Sequence, residues 1–212
     1  MILHEKYRPD TWDKVIGQDK AITQIKRLLD RGIGGRAFWI SGKSGTGKTT
    51  IARILAAELA DEACIDEIDA SDATPARLKE IEAGLHYRGF VKPGRAVIIN
   101  EAHGLRQDAI RQLLVMLERL PGHSLVIFTT TLEGQALLFD AKEDASPLLS
   151  RCIEISLAQQ GLAKPFAEYA RQIAQAEGLD GQPVEKYVRL LNDCKANLRQ
   201  ALQKIESGCM IG

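Results

Sequence analysis

The residues best suited to chemistry are Gly42-Lys43-Ser44-Gly45-Thr46-Gly47-Lys48-Thr49-Thr50, which fit the spacing G-x-x-x-x-G-K-[S/T]. Glycines at 42, 45 and 47 let the backbone wrap a phosphate, with successive N–H groups pointing inward at a helix N-terminus. Lys48 then reaches the β- and γ-phosphates, and the Thr49 hydroxyl holds Mg²⁺. The setting agrees with that reading. Ala37-Phe38-Trp39-Ile40-Ser41 is a short apolar run suited to a buried strand, and Thr50 to Leu59 has helical periodicity. A glycine-rich turn that merely precedes a helix is the bland alternative; strand, loop and helix in sequence favour a nucleotide.

Such a loop needs a group to order the cation and a base or orienter for an attacking water, usually from the end of a neighbouring strand. Val97-Ile98-Ile99-Asn100-Glu101-Ala102-His103 ends a strongly apolar run in that way. Glu101 stands where a water-polarising carboxylate belongs. Asn100 accepts a hydrogen bond from a metal-bound water but brings no charge, so Mg²⁺ is held less well than by a carboxylate. His103 reads as a loop residue. Thr129-Thr130-Thr131 closes a strand expected beside the loop strand, where Thr130 can sense a γ-phosphate, although threonines are also ordinary strand formers. Arg151 precedes the last strand, after a polar loop, and suits either a finger on a neighbouring subunit's nucleotide or a solvated loop. Arg199 opens the last helix and either leans over the nucleotide or sits on a surface.

The elements that must position these residues alternate. Residues 1–17 read as irregular, broken by Pro9 and Gly17, and a helix spans 18–29. Strands are expected at 37–41, 65–69, 95–100, 124–130 and 152–156. Helices lie between them, one starting at Thr74-Pro75 and another over 106–120. Near-continuous apolar strands alternating with helices make an α/β fold with a parallel sheet covered on both faces. After a hinge at 157–163 the pattern changes to helices at 164–178, 183–193 and 196–207. The expected division is a nucleotide-binding α/β domain over 1–160 and a small three-helix lid over 161–212.

Composition excludes several classes. Lys plus Arg equals Asp plus Glu at 28 each, so no global field draws in nucleic acid or an acidic membrane, and DNA contact has to come from a local patch or an assembly. Cys64, Cys152, Cys194 and Cys209 are scattered, which suits neither a zinc site nor a disulfide framework. There is no signal-peptide pattern and no membrane-length apolar run, so a cytoplasmic protein is expected, nucleoid-associated if on DNA or nuclear if eukaryotic.

Taken together the motifs resemble a known family. Glu5-Lys6-Tyr7-Arg8-Pro9 followed by Val15-Ile16-Gly17-Gln18 is similar to the N-terminal signature of AAA+ clamp-loader subunits. The resemblance implies an adenine pocket at Tyr7, Arg8, Pro9, Ile16 and Gly17. Glu67-Ile68-Asp69-Ala70-Ser71-Asp72 resembles a motif of replication factor C small subunits, and Ile99 to His103 resembles the Walker B box. Thr130 then falls at sensor 1. Ser150-Arg151-Cys152 matches a motif whose arginine serves the adjacent protomer in trans, and Asn197 to Leu202 resembles the sensor 2 helix, with Arg199 as its arginine. This implies an ATPase using ATP and Mg²⁺, assembled with other AAA+ subunits and acting with DNA and a sliding clamp or another replication protein, away from membranes. Asn100 departs from the family's usual Asp. Leu114 and Val115 stand where paired arginines often face DNA, leaving Arg77, Lys79, Arg106 and Arg111 as substitutes. Residues 1–212 leave no room for the family's third, collar domain. Two alternatives follow: a weakly hydrolysing, nucleotide-gated scaffold subunit, or another AAA+ remodeller such as a Holliday-junction motor or helicase loader.

Overall fold

In the computed structural model, which describes residues 2–142 and 144–211, the apolar runs form a five-stranded parallel sheet. Its strands are β1 (Arg36–Ser41), β2 (Ala60–Asp69), β3 (Gly94–Asn100), β4 (Ser124–Thr130) and β5 (Cys152–Ser156), in the spatial order β2-β3-β4-β1-β5. The period-2 alternation of side chains divides the central strands between two cores. Phe38, Ile40, Ile98 and Ile127 face one core with Ile25 of α2 (Asp19–Leu29) and Ile51 and Leu55 of α3 (Lys48–Leu59). Trp39, Val97, Ile99 and Phe128 face the other with Leu78 of α4 (Pro75–Leu85) and Ile110 and Leu113 of α5 (Gln107–Glu118). Strands buried on both faces have no polar side to show, which is why their sequences are apolar throughout. The edge strands β2 and β5 differ, being only partly buried, and β2 is correspondingly acidic.

Three boundaries differ from expectation. Residues 1–17 are not wholly irregular, because α1 (Leu3–Lys6) and a 3₁₀ turn at Trp12–Lys14 lie within them. The four residues of α1 are too few to show a period, and Leu3 alone is buried, in the core of the C-terminal helices. The polar loop expected before Arg151 contains α6 (Leu132–Ala141) and α7 (Ala145–Ser150). The Thr131 hydroxyl caps α6 by accepting from the Gly134 N–H at 3.1 Å, and Leu138 and Leu148 are buried. Strand β2 starts at Ala60 rather than 65, and its register against β3 is interrupted between those residues.

After β5 the chain forms α8 (Ala163–Ala176), α9 (Val184–Asp193) and α10 (Leu198–Glu206), close to the expected spans. Phe166, Tyr187, Leu191 and Ile205 form their common core. Leu3 belongs to that core, and Tyr7 and Ile16 pack against it, so the start of the chain is tied to its end. The Leu157 N–H donates to Ser41 O at 2.8 Å, fastening the expected hinge to the tip of β1.

Candidate nucleotide site

Ligands of open parallel sheets gather outside the carboxyl ends of the strands. Here β1, β3 and β4 end together. Ser41 is in register with Thr130, and the Gly42 N–H donates to Thr130 O at 3.3 Å. The loop Gly42–Gly47 leads from β1 into α3. Gly45 and Gly47 have φ of 76° and 97°, and a Cβ on Gly45 would lie 2.1 Å from Asn197 Oδ1. Both backbone and neighbour therefore require glycine there. The Thr46 hydroxyl donates to Lys43 O at 2.8 Å and steadies the turn.

Lys48 is 7% exposed and its ammonium donates to Gly42 O at 3.2 Å and Lys43 O at 3.0 Å. Burial lowers its pKa below the usual lysine value; the Glu101 carboxylate opposes that shift and the Arg199 guanidinium adds to it. A buried cation held by carbonyls of its own loop is poised to exchange them for an anion. Thr49 Oγ1 donates to Asn100 Oδ1 at 3.3 Å, and Thr129 Oγ1 donates to the same oxygen at 2.9 Å.

These groups fit a magnesium nucleotide. The loop turns through positive φ at Gly45 and Gly47, and hydroxyl and amide oxygens converge beside the first turn of α3. No cluster of three or more acidic, His or Cys ligands exists among the described residues. A Mg²⁺ here would be held by Thr49, Asn100, waters and phosphate oxygens, the usual mode for this cation.

Glu101 leaves β3 in the left-handed conformation, φ 52° and ψ 43°, with its side chain 55% exposed. That turn starts the 3₁₀ segment Ala102–Gly104 and brings His103 back over β4. His103 Nδ1 lies 3.3 Å from Thr130 Oγ1 and 3.5 Å from Glu101 Oε2. Thr130 Oγ1 already donates to Thr131 O, and a carboxylate only accepts, so the Nδ1 position carries the proton. His103 is a loop residue hydrogen-bonded to Thr130, with the Glu101 carboxylate beside it. Gly134 makes room for it, since a Cβ there would come within 2.4 Å of the imidazole.

A cleft open to solvent continues from Gly45–Gly47 and Thr50 between the N-terminal residues and α8 and α10. Tyr7, Arg8, Pro9 and Ile16 line one wall, with Phe166, Leu198 and Arg199 opposite. This apolar slot beside a phosphate loop has the character of a base pocket. Gly17 does not line it; it lies against Leu162. The Tyr7 hydroxyl donates to Glu177 at 2.5 Å and the Tyr169 hydroxyl to Tyr7 O at 3.0 Å, so both walls are cross-bonded. Asn197 caps α10, accepting from the Gln200 N–H at 3.1 Å, while its amide reaches Ser44 Oγ at 3.5 Å.

The structure brings Lys48, Thr49, Asn100, Glu101, Thr130 and Arg199 to one end of the sheet. It does not bring Arg151 there. Arg151 precedes β5, whose Cys152 pairs with Ala37 at the start of β1. It donates to Glu118 at 2.7 Å and to Pro147 O at 3.1 Å. Of the basic substitutes, Arg77 pairs with Glu80 and Arg111 with Asp144, while Leu114 is half-buried and Val115 exposed. Sequence reasoning missed the role of Gln18. It is 1% exposed, donates to Thr46 O at 3.3 Å and accepts from the Ala158 N–H at 2.7 Å, tying the loop to the linker. Only its place after Gly17 in the N-terminal motif hinted at it.

Comparison with known proteins bears on the family and the fold. DNA polymerase III subunit gamma of Buchnera aphidicola subsp. Acyrthosiphon pisum is 27% identical across 100% of this chain, which spans 62% of that relative. The subunit tau of Escherichia coli K12 is 28% identical across 74% of this chain, covering 27% of its own length. The chain therefore spans less than two thirds of these relatives. Among solved structures, a Thermotoga maritima RuvB variant superposes with a TM-score of 0.75 at 21% identity, covering 94% of this chain and 64% of that one, a likeness of fold. The ATPase family associated with various cellular activities (AAA) matches residues 38–152, over half of the sequence, from within β1 through β4 to the first residue of β5, and the chain belongs to that family.

Proposed function

We propose that this chain binds ATP with Mg²⁺ and hydrolyses it as one subunit of a clamp-loader-like AAA+ assembly, loading or remodelling a partner on DNA in replication or repair. Residues 1–160 act as the nucleotide-binding domain and 161–212 as the lid, with the base between Tyr7–Ile16 and the helices α8 and α10. Lys48 and the loop N–H groups bind the phosphates; Glu101 orients the attacking water and accepts its proton; Thr130 and Arg199 hold the γ-phosphate. Bound Mg²⁺ supplies charge neutralisation at the phosphates, held through Thr49 and Asn100. Other AAA+ subunits, DNA and a sliding clamp or another replication protein are the partners; relatives that are DNA polymerase III subunits support that choice.

The observation that carries the assembly is the position of Arg151. It sits level with the start of β1, whereas the phosphate loop leaves its far end, roughly 16 Å away at 3.3 Å per strand residue. Arg151 is therefore suited to another subunit's phosphate and not its own. An arginine supplied in trans is worth about 10³–10⁵ in rate. ATPase activity measured across protein concentration, with and without primed DNA, should rise in specific activity as subunits meet. Equal specific activity at every concentration overturns the trans arrangement.

A second reading has its own support. Asn100 is uncharged, and its oxygen is already engaged by two hydroxyls. A subunit that binds ATP as a switch and scarcely turns over fits that site. Turnover unchanged in Glu101→Gln, with ATP binding retained, selects this reading.

A further inference from the structure

Behind Asn100 stands a group that the catalytic scheme does not use. Asn100 Nδ2 lies 2.8 Å from Glu67 Oε1 on the neighbouring strand β2. A carboxylate offers only lone pairs, so the amide must turn its NH₂ to Glu67 and its oxygen the other way. That oxygen faces Thr49 Oγ1 and Thr129 Oγ1, both of which donate to it. Glu67 is itself gripped by Arg53, which donates from Nε at 2.7 Å and from a terminal nitrogen at 3.1 Å. This two-pronged pairing restricts the carboxylate to one orientation. A continuous chain thus runs Arg53–Glu67–Asn100–Thr49, ending beside the phosphate loop.

We propose that Glu67 is a positioning residue that fixes the Asn100 carboxamide with its oxygen toward Thr49, so that residues 67 and 100 act as a coupled carboxylate–amide pair. This rests on the reading that the Thr49 side receives a nucleotide-bound divalent cation. The Glu67 carboxylate, its charge balanced by Arg53, accepts from the amide one hydrogen bond behind position 100 and so holds the amide oxygen outward. Changing Asn100 to a carboxylate is therefore not a simple repair. Asn100→Asp sets a second carboxylate against Glu67 at hydrogen-bond distance, and like charges that close cannot both ionise without cost. Glu67→Gln with Asn100→Asp reverses the bond. The amide now at position 67 donates to the carboxylate at position 100, whose other oxygen still accepts from Thr49 and Thr129. Arg53 keeps only its Nε bond, to the amide oxygen, because its terminal nitrogen shared the oxygen that is replaced.

Binding of a fluorescent ATP analogue, titrated with Mg²⁺, provides the test. Supporting groups behind metal ligands affect metal affinity by 10–100-fold, so Glu67→Ala should raise the Mg²⁺ midpoint about tenfold. Its affinity for the analogue in EDTA should stay at the wild-type value, and Asp66→Asn should match wild type in both. Thermal unfolding of the ligand-free protein reads the pair separately. Asn100→Asp should unfold at a lower temperature than wild type, and adding Glu67→Gln should recover part of that loss, the rest reflecting the weakened bond to Arg53, and lower the Mg²⁺ midpoint below that of Asn100→Asp. A wild-type midpoint in Glu67→Ala, or no recovery by Glu67→Gln, overturns the proposal. No binding of the analogue by the wild-type protein overturns the metal-facing role together with the nucleotide reading, while the unfolding cycle still reports whether the two residues are coupled.

Discussion

The two halves of the cleft are built in opposite ways. The phosphate side uses one continuous loop, Gly42–Gly47, followed by strand ends whose polar groups already satisfy one another: Lys48 with loop carbonyls, and Thr49 and Thr129 with Asn100. The base side has no continuous element. Tyr7 and Ile16 come from the first residues, Phe166 and Arg199 from the last helices, and the bonds that join them span most of the chain, such as Tyr7 to Glu177. The strand ends are held by two buried cores, whereas the base wall depends on α1 and Tyr7 remaining docked on α8–α10. The phosphate side should behave as a rigid template and the base side as the part whose closure varies.

The largest effect should come from outside both halves. Arg151→Ala should lower turnover by about 10³–10⁵. Mixing it with Glu101→Gln should restore part of the activity, because each supplies what the other lacks; steady-state ATPase of the mixture reads this. No recovery on mixing places Arg151 outside a shared site.

Within the phosphate side, Gly45→Ala forces a left-handed residue and a contact with Asn197. The backbone alone should cost about 1–2 kcal/mol, and lid and loop must separate. Thermal unfolding and nucleotide affinity should both fall. If only stability falls, the contact between Asn197 and the loop has no bearing on binding.

Gln18→Ala tests the joint between the halves. It leaves the Thr46 carbonyl and the Ala158 N–H without their buried partner, at a cost of about 1–3 kcal/mol. Hydrogen exchange should quicken at residues 157–163 and at the phosphate loop together. Exchange altered in one segment alone would separate what Gln18 is here taken to couple.

The smallest effect, on the base side, depends on pH. Hydrogen bonds from Lys6 and Tyr7 hold the Glu177 carboxyl below the usual carboxylate range. A depressed folded-state pKa adds stability above the unfolded value, about 4.3, that is lost as pH falls through the folded value. Glu177→Gln should therefore lower the unfolding temperature at neutral pH, and the difference from wild type should vanish in acid. A constant difference across pH removes the ionised carboxylate from the joint.

Much of this was legible from residues alone where the chemistry is local. The phosphate loop, the acidic end of Val97–Glu101, the cap at Thr74 and the apolar strands each depend on neighbours a few positions away, so spacing and residue type report them. What was missed was non-local. Four residues of α1 show no period and gain their helix from Leu3 docking on distant helices. The contacts of His103 were not legible because Thr130 and Gly134, which surround it, lie some 27–31 positions on.

The sequence by itself therefore determined the sheet, the glycine-rich loop after β1 and which polar residues close the strands. These follow from patterns written within single elements. Only the tertiary structure decided how the uncharged Asn100 is aimed, that Gln18 bridges loop and linker, and that Arg151 lies away from its own site. An amide's orientation depends on which acceptor faces it, and here that acceptor, Glu67, sits on another strand. No spacing rule along one chain carries that information.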